Sequence, residues 1–425
     1  MTGITDEGVA RLRERIGIPT PHPQPPHYRS PNEDAFRHLA EATGDDNPLW
    51  CDPEYGATTV WGGPIASPNF NGGDTLIGEN EVVHLDPATR ELMKGDPIRG
   101  AHAFYSGSFR EWWNPLRPGM RVGRRNALVG VHDKTSEFAK RAVHEWTGEV
   151  FCAKDPDLAL SAQYRLMIRT PREGVEKRTK YAEVEMRPYT DEEIARIDEW
   201  YAGEPERRRG ADPRFWEDVD EGDEVTPIVK GPLRVTDMVV WHTGMGMGLY
   251  GVKALRLGYQ QRQKVPKFFR PDDLNVFDVQ QRVHWDADWA RAAGNPAIYD
   301  YGRMRETWLV HLCTDWMGDD AWLWKLDCQF RKFNYVGDTH WMRGTVVRKY
   351  LAEGDRPAVD LDIHGENQRG EVTTPGHATV LLPSREHGPV RLPEPPGGAH
   401  TCQEVLDALV ERFADTEREG EGTDG

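Results

Sequence analysis

The spacing of apolar and polar positions predicts the same order of elements twice along the chain. Apolar residues at helical spacing predict one helix at residues 32–44 and another at residues 235–244. Later stretches alternate between apolar and polar positions, as strands do, including residues 127–133 in the first half and residues 343–352 in the second. A helix followed by long antiparallel strands, seen twice, indicates duplication of one α+β unit.

Further predicted elements of the two halves correspond. Each half has an acid-rich turn after its first helix, with the sequence CDPEYGA at residues 51–57 and WDADWARAAG at residues 285–294. A helix-like stretch follows each turn, at residues 67–80 and at residues 303–318. The second half also carries an insertion at residues 247–275, which we expect either to line a cleft or to be an ordinary surface excursion.

Changes in composition divide the chain into four segments. Residues 171–225 are rich in charge and poor in aliphatic side chains, which predicts a solvated helical connector between domains at residues 1–170 and 226–392. Residues 393–425 open with a cluster of Pro and Gly, and we expect an amphipathic helix and a disordered end beyond it. The apolar positions of that helix are Val405, Leu406, Leu409, Val410 and Phe413.

Length and composition agree with two folded domains. The chain has 425 residues, and no apolar run approaches the roughly 20 residues that span a bilayer. The N-terminal residues include acids and no apolar signal core, and the five cysteines are scattered without a CxxC pair. We therefore expect a cytoplasmic protein with no membrane partner, no disulfide framework and no metal site.

The formal net charge of −17 argues against nucleic acid as a partner, because phosphate binding needs a concentrated basic surface. An anionic ligand such as coenzyme A needs only a local basic patch. Arg121, Arg124 and Arg125 lie together in residues 117–126 and could supply one, although such a run is also typical of a solvated strand end.

Three stretches of the chain resemble one enzyme family. They are AEATGDDNPLWCDPEYGATTVWGGPIASPNF at residues 40–70, HWDADWARAAGNPAIYDYGRMRETWLVHLCTDWMGDD at residues 284–320 and FNYVGDTHWMRGTVV at residues 333–347. With these motifs the chain resembles the MaoC-like acyl dehydratases, also called (R)-specific enoyl-CoA hydratases. The resemblance covers nearly all of residues 30–390.

The resemblance implies a double hotdog fold of the α+β class, in which each of two tandem units has a long helix wrapped by an antiparallel sheet. It further implies reversible hydration of a trans-2-enoyl-CoA to a (R)-3-hydroxyacyl-CoA, in fatty acid or steroid side-chain metabolism. Coenzyme A would enter as part of the acyl-CoA thioester substrate, and no separate cofactor is implied. The assembly expected is a homodimer, or a hetero-oligomer with another hotdog protein.

The hydratase loop of this family reads Gly-Asp-x-Asn-Pro-[Leu/Ile]-His, and its Asp and His hold the reacting water. In the first half Asp45 and Asn47 match that loop, but Trp50 stands at the His position. In the second half His284 matches the His, whereas Val279 stands at the Asp position. A carboxylate accepts hydrogen bonds from water and an imidazole transfers protons near neutral pH, so each half lacks one of the two partners.

The second half is therefore the candidate active site. We expect His284 to act as acid and base, with Asp278 or Asp286 in place of the missing carboxylate and the Gly302 N–H as the donor to an oxyanion. The alternatives are a His284 that is paired only for structure and a Gly302 that merely starts a helix. Asp45 is a catalytic candidate by its motif, although stabilisation of the Asn-Pro turn is the preferred interpretation.

His242 is a further candidate, because the Gly-rich turn after it allows close approach of a backbone, although a histidine at a helix end also compensates the helix dipole. Tryptophans crowd the second half, and we expect most of them in the core and some in a pocket wall. They are Trp285, Trp289, Trp308, Trp316, Trp322 and Trp324.

Two other functions stay open beside the hydratase. The split of the Asp and His between the halves is compatible with a non-catalytic acyl-CoA-binding subunit, or with a partner that completes the site of another hydratase chain. The hotdog fold also hosts thioester hydrolysis, so an acyl-CoA thioesterase is a third candidate.

Overall fold

The computed structural model describes residues 3–20, 25–70, 76–80, 83–136, 140–171, 187–246 and 252–420. Its helices are α1 (Asp6–Arg13), α2 (Glu33–Ala42), α3 (Pro48–Cys51), α4 (Pro53–Thr58), α5 (Pro87–Leu92), α6 (Asp191–Ala202), α7 (Glu204–Arg207), α8 (Val235–Gly244), α9 (Leu255–Lys264), α10 (Ala287–Ala292), α11 (Gly302–Met317) and α12 (Cys402–Gly420). Its strands are β1 (Glu79–Asn80), β2 (His102–Trp112), β3 (Val122–Ser136), β4 (Lys140–Lys154), β5 (Asp157–Thr170), β6 (Glu224–Lys230), β7 (Phe269–Pro271), β8 (Phe277–Val279), β9 (Trp322–Gln329), β10 (His340–Ala352), β11 (Arg356–Asn367) and β12 (Val372–Leu381).

Ten of these strands form one sheet that runs through both halves of the chain. The strand order is β1-β3-β4-β5-β2-β9-β12-β11-β10-β6, and all neighbours are antiparallel except β1 beside β3. The halves meet where β2 pairs with β9, with Ser108 opposite Cys328 and Glu111 opposite Lys325. Each half therefore contributes its own antiparallel strands to a continuous sheet.

Helix α11 is the central helix of the second half. All of its residues from Arg303 to Met317 are buried, and β6 and β9 to β12 pack around it. The helix ends at Gly318, whose φ of 80° is the left-handed conformation that favours glycine after a helix. A long helix wrapped by an antiparallel sheet is the arrangement that the sequence predicts for this half.

The first half differs from that prediction. The helix-like stretch at residues 67–80 forms one short 3-10 helix at Pro68–Phe70, and residues 71–75 lie outside the described part. The prediction of a helix in this stretch is wrong for the described residues, because Pro68 and Gly78 interrupt the helical pattern. Phe36 of α2 and Phe70 instead cover this part of the core, with ring centroids 5.0 Å apart.

The sheet of the first half is buried on both faces. On β4, Phe151 and Ala153 belong to the core that includes α11, whereas Val150 and Cys152 pack on the opposite face. This alternation follows from the two-residue period of a strand. Helix α12 covers the opposite face with the apolar positions that its sequence predicts, so that prediction is confirmed.

The acid-rich turns of the two halves prove to be equivalent helix starts. The Asp52 carboxylate accepts hydrogen bonds from the N–H groups of Glu54 and Tyr55 at the start of α4. The Asp286 carboxylate accepts from Trp289 N at the start of α10 in the same way. Because Asp is a preferred residue before the first turn of a helix, the repeated motif has a structural cause in both halves.

The predicted helices near the start of each half are α2 and α8. The described part of the predicted connector, residues 187–225, contains α6 and α7. Within the insertion, residues 252–275 include α9 and the first strand of the β7–β8 hairpin. Among the described helices, none combines the length and the apolarity that crossing a membrane requires.

Candidate active site

His284 is buried at the end of the 3-10 helix Gln280–His284, against the residues that lead into α11. Its Nδ1 lies 2.8 Å from the carbonyl oxygen of Tyr299, and because a carbonyl only accepts, Nδ1 carries the proton. The imidazole packs on the Tyr301 ring with 4.2 Å between centroids, and Tyr301 stacks on Trp241 at 5.3 Å. The ring is thus held in one orientation by a backbone acceptor and an aromatic neighbour.

The surroundings of His284 keep its imidazole neutral. Burial lowers the pKa of His284 and the nearby His242 adds to this effect, whereas hydrogen bonds to the backbone of Tyr299 and Asp300 oppose it; the result is a pKa of about 4. Burial also lowers the pKa of His242. Near pH 7 His284 is therefore uncharged, and Nε2 is the ring nitrogen that is able to take up a proton.

Gly302 begins helix α11 directly after Tyr301. A Cβ at this position would lie 3.1 Å from two atoms of the Phe330 ring, so the close approach of that ring favours glycine. Tyr301 does not cap the helix with its side chain. The first-turn N–H groups and the positive end of the helix dipole therefore lie beside the aromatic residues that contact His284.

Asp300 interacts with His284 through its backbone, and its carboxyl group is buried just before the start of α11. Its Oδ2 accepts a hydrogen bond from Asn334 Nδ2 at 3.0 Å and lies 3.1 Å from Arg305 Nε, while Oδ1 has no hydrogen-bond partner among the described residues. Burial raises the pKa of Asp300 to about 6, although Arg305 and the Asn334 hydrogen bond lower it. Asp300 is therefore a buried carboxyl group that can change its protonation state close to neutral pH.

The two carboxylates that the sequence predicts for this role have other partners. Asp278 lies in the β7–β8 hairpin opposite Arg270, and its Oδ1 accepts from Val279 N at 2.7 Å. Asp286 accepts from Trp289 N at 2.9 Å as the cap of α10. Their catalytic roles stay predictions.

The three arginines predicted to bind coenzyme A do not converge on one site. Arg124 is buried and lies 3.4 Å from Glu149, whereas Arg125 donates a hydrogen bond to Gln403 of α12. Arg121 is exposed just before β3. Successive residues of a strand point to opposite faces of the sheet, so a basic run in a strand does not make a basic patch.

A pocket of about 680 Å³ opens beside the 3-10 helix that ends at His284. The insertion supplies nearly all of its lining, which comprises Gln261, Lys264, Val265, Pro266, Lys267, Phe268 and Gln280. The stretch at residues 253–270 has six basic and no acidic residues in a chain with a net charge of −17. This pocket is therefore locally basic, and the insertion lines a cleft as one of the two predictions expects.

Asp45 contacts α11 at a different place, nine residues beyond Gly302 and so about 14 Å along the helix. Its carboxylate accepts from Asn47 N at 3.0 Å and from Trp50 Nε1 at 3.0 Å. Trp50, which stands at the family's His position, thus binds the carboxylate and fills the space of the imidazole. This geometry is that of an acid that stabilises the Asn-Pro turn.

A second buried polar cluster contains Asp45 from among the predicted site residues, together with residues that the sequence analysis did not single out. His311 of α11 has its Nδ1 2.8 Å from Lys230 Nζ. Its Nε2 faces the carboxylates of Asp45, Glu204 and Asp315. The signal in the sequence is a His and an Asp four residues apart within the apolar run VHLCTDWM, which places both on one face of a buried helix.

No protein-family model and no curated protein matches this sequence. Solved structures nevertheless match its fold. A MaoC-like dehydratase has a TM-score of 0.57 at 15% sequence identity and covers 87% of this chain and 99% of its own. A MaoC domain protein dehydratase from Chloroflexus aurantiacus J-10-fl has a TM-score of 0.51 at 11% identity and covers 87% of this chain and 96% of its own. This chain has the fold of the MaoC-like dehydratases.

The predicted fold class, an α+β double hotdog, is therefore confirmed. Within this MaoC-like fold, His284 and Gly302 lie at the start of the second-half helix, whereas Asp45 lies farther along the same helix. The residues that match the family motif thus belong to two separate places along α11.

Proposed function

We propose that this protein catalyses reversible hydration of a trans-2-enoyl thioester to a (R)-3-hydroxyacyl thioester, with His284 as acid and base. The observation that carries the proposal is the packing of a neutral imidazole against the residues that lead into the first turn of α11. Acyl-thioester hydration needs a proton carrier beside a group that stabilises negative charge on the thioester oxygen. Solved dehydratases with the same fold, at 15% identity or less, agree with this choice of reaction.

The proposed reaction uses groups that lie together. His284 takes a proton from water, the water oxygen adds to C3 of the enoyl group, and negative charge moves to the thioester oxygen. The N-terminus of α11 at Gly302 stabilises that charge through its N–H groups and dipole. The proton then reaches C2, so that water has been added across the double bond, and dehydration is the reverse. Asp300, two residues before Gly302, would be a second group able to hold a proton, because burial raises its pKa to about 6.

We propose an acyl-CoA as the substrate class, because it suits the pocket that Gln280, the first residue of the 3-10 helix ending at His284, helps to line. A volume of about 680 Å³ lies within the range of about 300–1,000 Å³ of small-molecule sites. Lys264 and Lys267 line the pocket and would pair with the phosphates of coenzyme A, while Val265 and Phe268 offer apolar contacts. Coenzyme A would thus bind through the insertion, and Arg124 and Arg125 would have structural roles.

The first half would then act without a site of its own. Asp45 is buried under Trp50 and accepts its indole N–H, and an indole donates one hydrogen bond without cycling a proton. We therefore assign the proposed chemistry to the second half alone.

Purified protein assayed with trans-2-enoyl-CoA substrates of several chain lengths tests the proposal. We expect hydration, seen as loss of the enoyl thioester absorbance, and a loss of about 100-fold or more in kcat for His284→Ala, since general acid–base catalysis contributes about 10²–10⁴-fold. Asp300→Asn should lower kcat less and shift the acidic limb of the pH profile. His377→Gln, a change at an exposed histidine, is the matched control and should leave the rate unchanged.

The alternatives give different results in the same assay. Release of free thiol from a saturated acyl-CoA would identify a thioesterase. Binding of acyl-CoA without turnover would identify a non-catalytic subunit. Full activity in the His284→Ala variant would refute the proposed role of that residue.

A further inference from the structure

The cluster around His311 joins three parts of the chain that are distant in sequence. Asp45 follows α2 in the first half, Glu204 starts α7 in the connector, and His311 and Asp315 lie on α11 of the second half. Asp45, His311 and Asp315 are at most 4% exposed, and one ligand atom from each lies within 4.8 Å of those of the other two.

We infer that Asp45, His311 and Asp315 bind a divalent transition-metal ion. From His311 Nε2 the distance is 3.3 Å to Asp315 Oδ2 and 3.7 Å to both Asp45 Oδ1 and Glu204 Oε1. A charge-assisted hydrogen bond would bring such atoms to about 2.7–2.9 Å. Two ligands of one tetrahedral ion, with bonds of about 2.0–2.1 Å, lie about 3.4 Å apart. The cluster therefore has the spacing of ligands around an ion.

Atoms in this cluster lack the partners that buried polar groups need. His311 Nε2, Asp315 Oδ2 and Glu204 Oε2 have no hydrogen bond among the described residues, and all three side chains are buried. Buried polar atoms almost always have a partner, because leaving them bare loses their interaction with water. A cation between the carboxylates and the imidazole nitrogen would interact with all of them.

The charges of the cluster also favour one divalent cation. Three carboxylates face two cationic groups, Lys230 beside His311 Nδ1 and Arg208, whose Nε lies 3.0 Å from Asp315 Oδ1. The carboxylates thus outnumber the basic side chains beside them, so the space at His311 Nε2 favours a positive charge. Burial and Lys230 lower the pKa of His311, but the carboxylates of Asp315 and Asp45 raise it overall. An ion that binds Nε2 would take the place of a proton there.

The ligand types indicate which ion would bind. One imidazole nitrogen with carboxylate oxygens suits Zn²⁺, and also Mn²⁺ or Fe²⁺, whereas Ca²⁺ and Mg²⁺ prefer oxygen ligands alone. Because every ligand is buried, the ion would act as a cross-link between the halves. This site shares no residue with the surroundings of His284, so it does not depend on the proposed hydratase function.

Metal content of the full chain tests the inference. Bound metal is first removed with a chelator, and the protein is then incubated with Zn²⁺ or Mn²⁺. After separation from free ion, its metal content is measured by elemental mass spectrometry. We expect one equivalent of one of these ions and a higher thermal midpoint in its presence. Losing a residue that only hydrogen-bonds to a metal ligand weakens metal binding by about 10–100-fold. His311→Gln and Asp315→Asn each remove a ligand itself, so each should weaken binding by more than that.

A control variant separates this site from ordinary surface binding. His377 and Asp362 form an exposed pair at 3.8 Å, so His377→Gln should retain one equivalent of metal. If His311→Gln does not fold, Asp315→Asn and a chelator titration of the unaltered chain replace it. A folded chain that binds no stoichiometric metal, or metal binding that both cluster variants retain, would overturn the inference.

Discussion

A buried ion pair between the halves offers the sharpest test of how this fold is held together. Arg110 of β2 belongs to the first half, and Glu306 of α11 belongs to the second; their side chains are 2% and 0% exposed. Glu306 accepts hydrogen bonds from Arg110 Nε, from Arg110 Nη2 at 3.3 Å and from Ser108 Oγ at 2.8 Å. The pair thus connects the strand at the junction to the central helix.

The change Arg110→Met removes the guanidinium and leaves the Glu306 carboxylate buried without its cation. We expect a loss of about 3–5 kcal/mol in the free energy of unfolding, because breaking a buried pair leaves one charge uncompensated. This is a large part of the about 5–15 kcal/mol that a folded domain has in total. The double variant Arg110→Met/Glu306→Leu should cost less than the sum of the two single changes, since it removes both buried charges.

Urea unfolding followed by tryptophan fluorescence and circular dichroism measures both predictions, with agreement of the two signals as a check on two-state behaviour. Arg385→Met, which removes an exposed ion pair with Asp218, is the matched control and should leave the unfolding midpoint unchanged. An Arg110→Met variant as stable as the unaltered chain, or single changes whose costs simply add, would refute the reasoning.

Two further predictions concern the candidate site and the loop that resembles it. The pKa of His284 is about 6.5 in an unfolded chain and about 4 in the folded one, so its neutral form stabilises the fold above pH 6.5, and about 3 kcal/mol is lost as pH falls from 6.5 to 4. Urea unfolding of the unaltered chain and of His284→Gln across this range should show their difference shrinking with acid; a constant difference contradicts the assignment. Trp50→Phe should lower the free energy of unfolding at pH 7 by about 1–3 kcal/mol or more, because the buried Asp45 carboxylate loses the hydrogen bond from the indole N–H. An unchanged free energy of unfolding would show that this bond does not stabilise the loop.

The candidate site is predictable in part from the sequence. His284 and Gly302 are identified by their place in a motif, and both lie at the start of α11. The sequence assigns the carboxyl beside them to Asp278 or Asp286 because these are near along the chain, whereas in the structure Asp278 lies in the β7–β8 hairpin and Asp286 caps α10. Residues that are close in sequence to His284 therefore need not have side chains close to its imidazole.

Local patterns in the sequence determined the elements of this protein. The helical spacing of apolar residues predicts α2, α8 and α12, and the alternation of apolar and polar residues predicts the long strands. Asp52 and Asp286 determine where α4 and α10 begin, because their side chains accept hydrogen bonds from N–H groups of the first turn. Each of these features depends on residues a few positions apart, so a short stretch of sequence is enough to predict it.

Tertiary structure alone decided which distant groups meet. Asp45 and His311 are 266 positions apart, and the packing of the first-half loop on α11 is what brings their side chains to 3.7 Å. The same packing joins Arg110 to Glu306 and sends Arg124 and Arg125 to different partners. Such contacts depend on how two distant parts of the chain pack together. The periodicity of either part alone does not predict which residues of the other part it will contact.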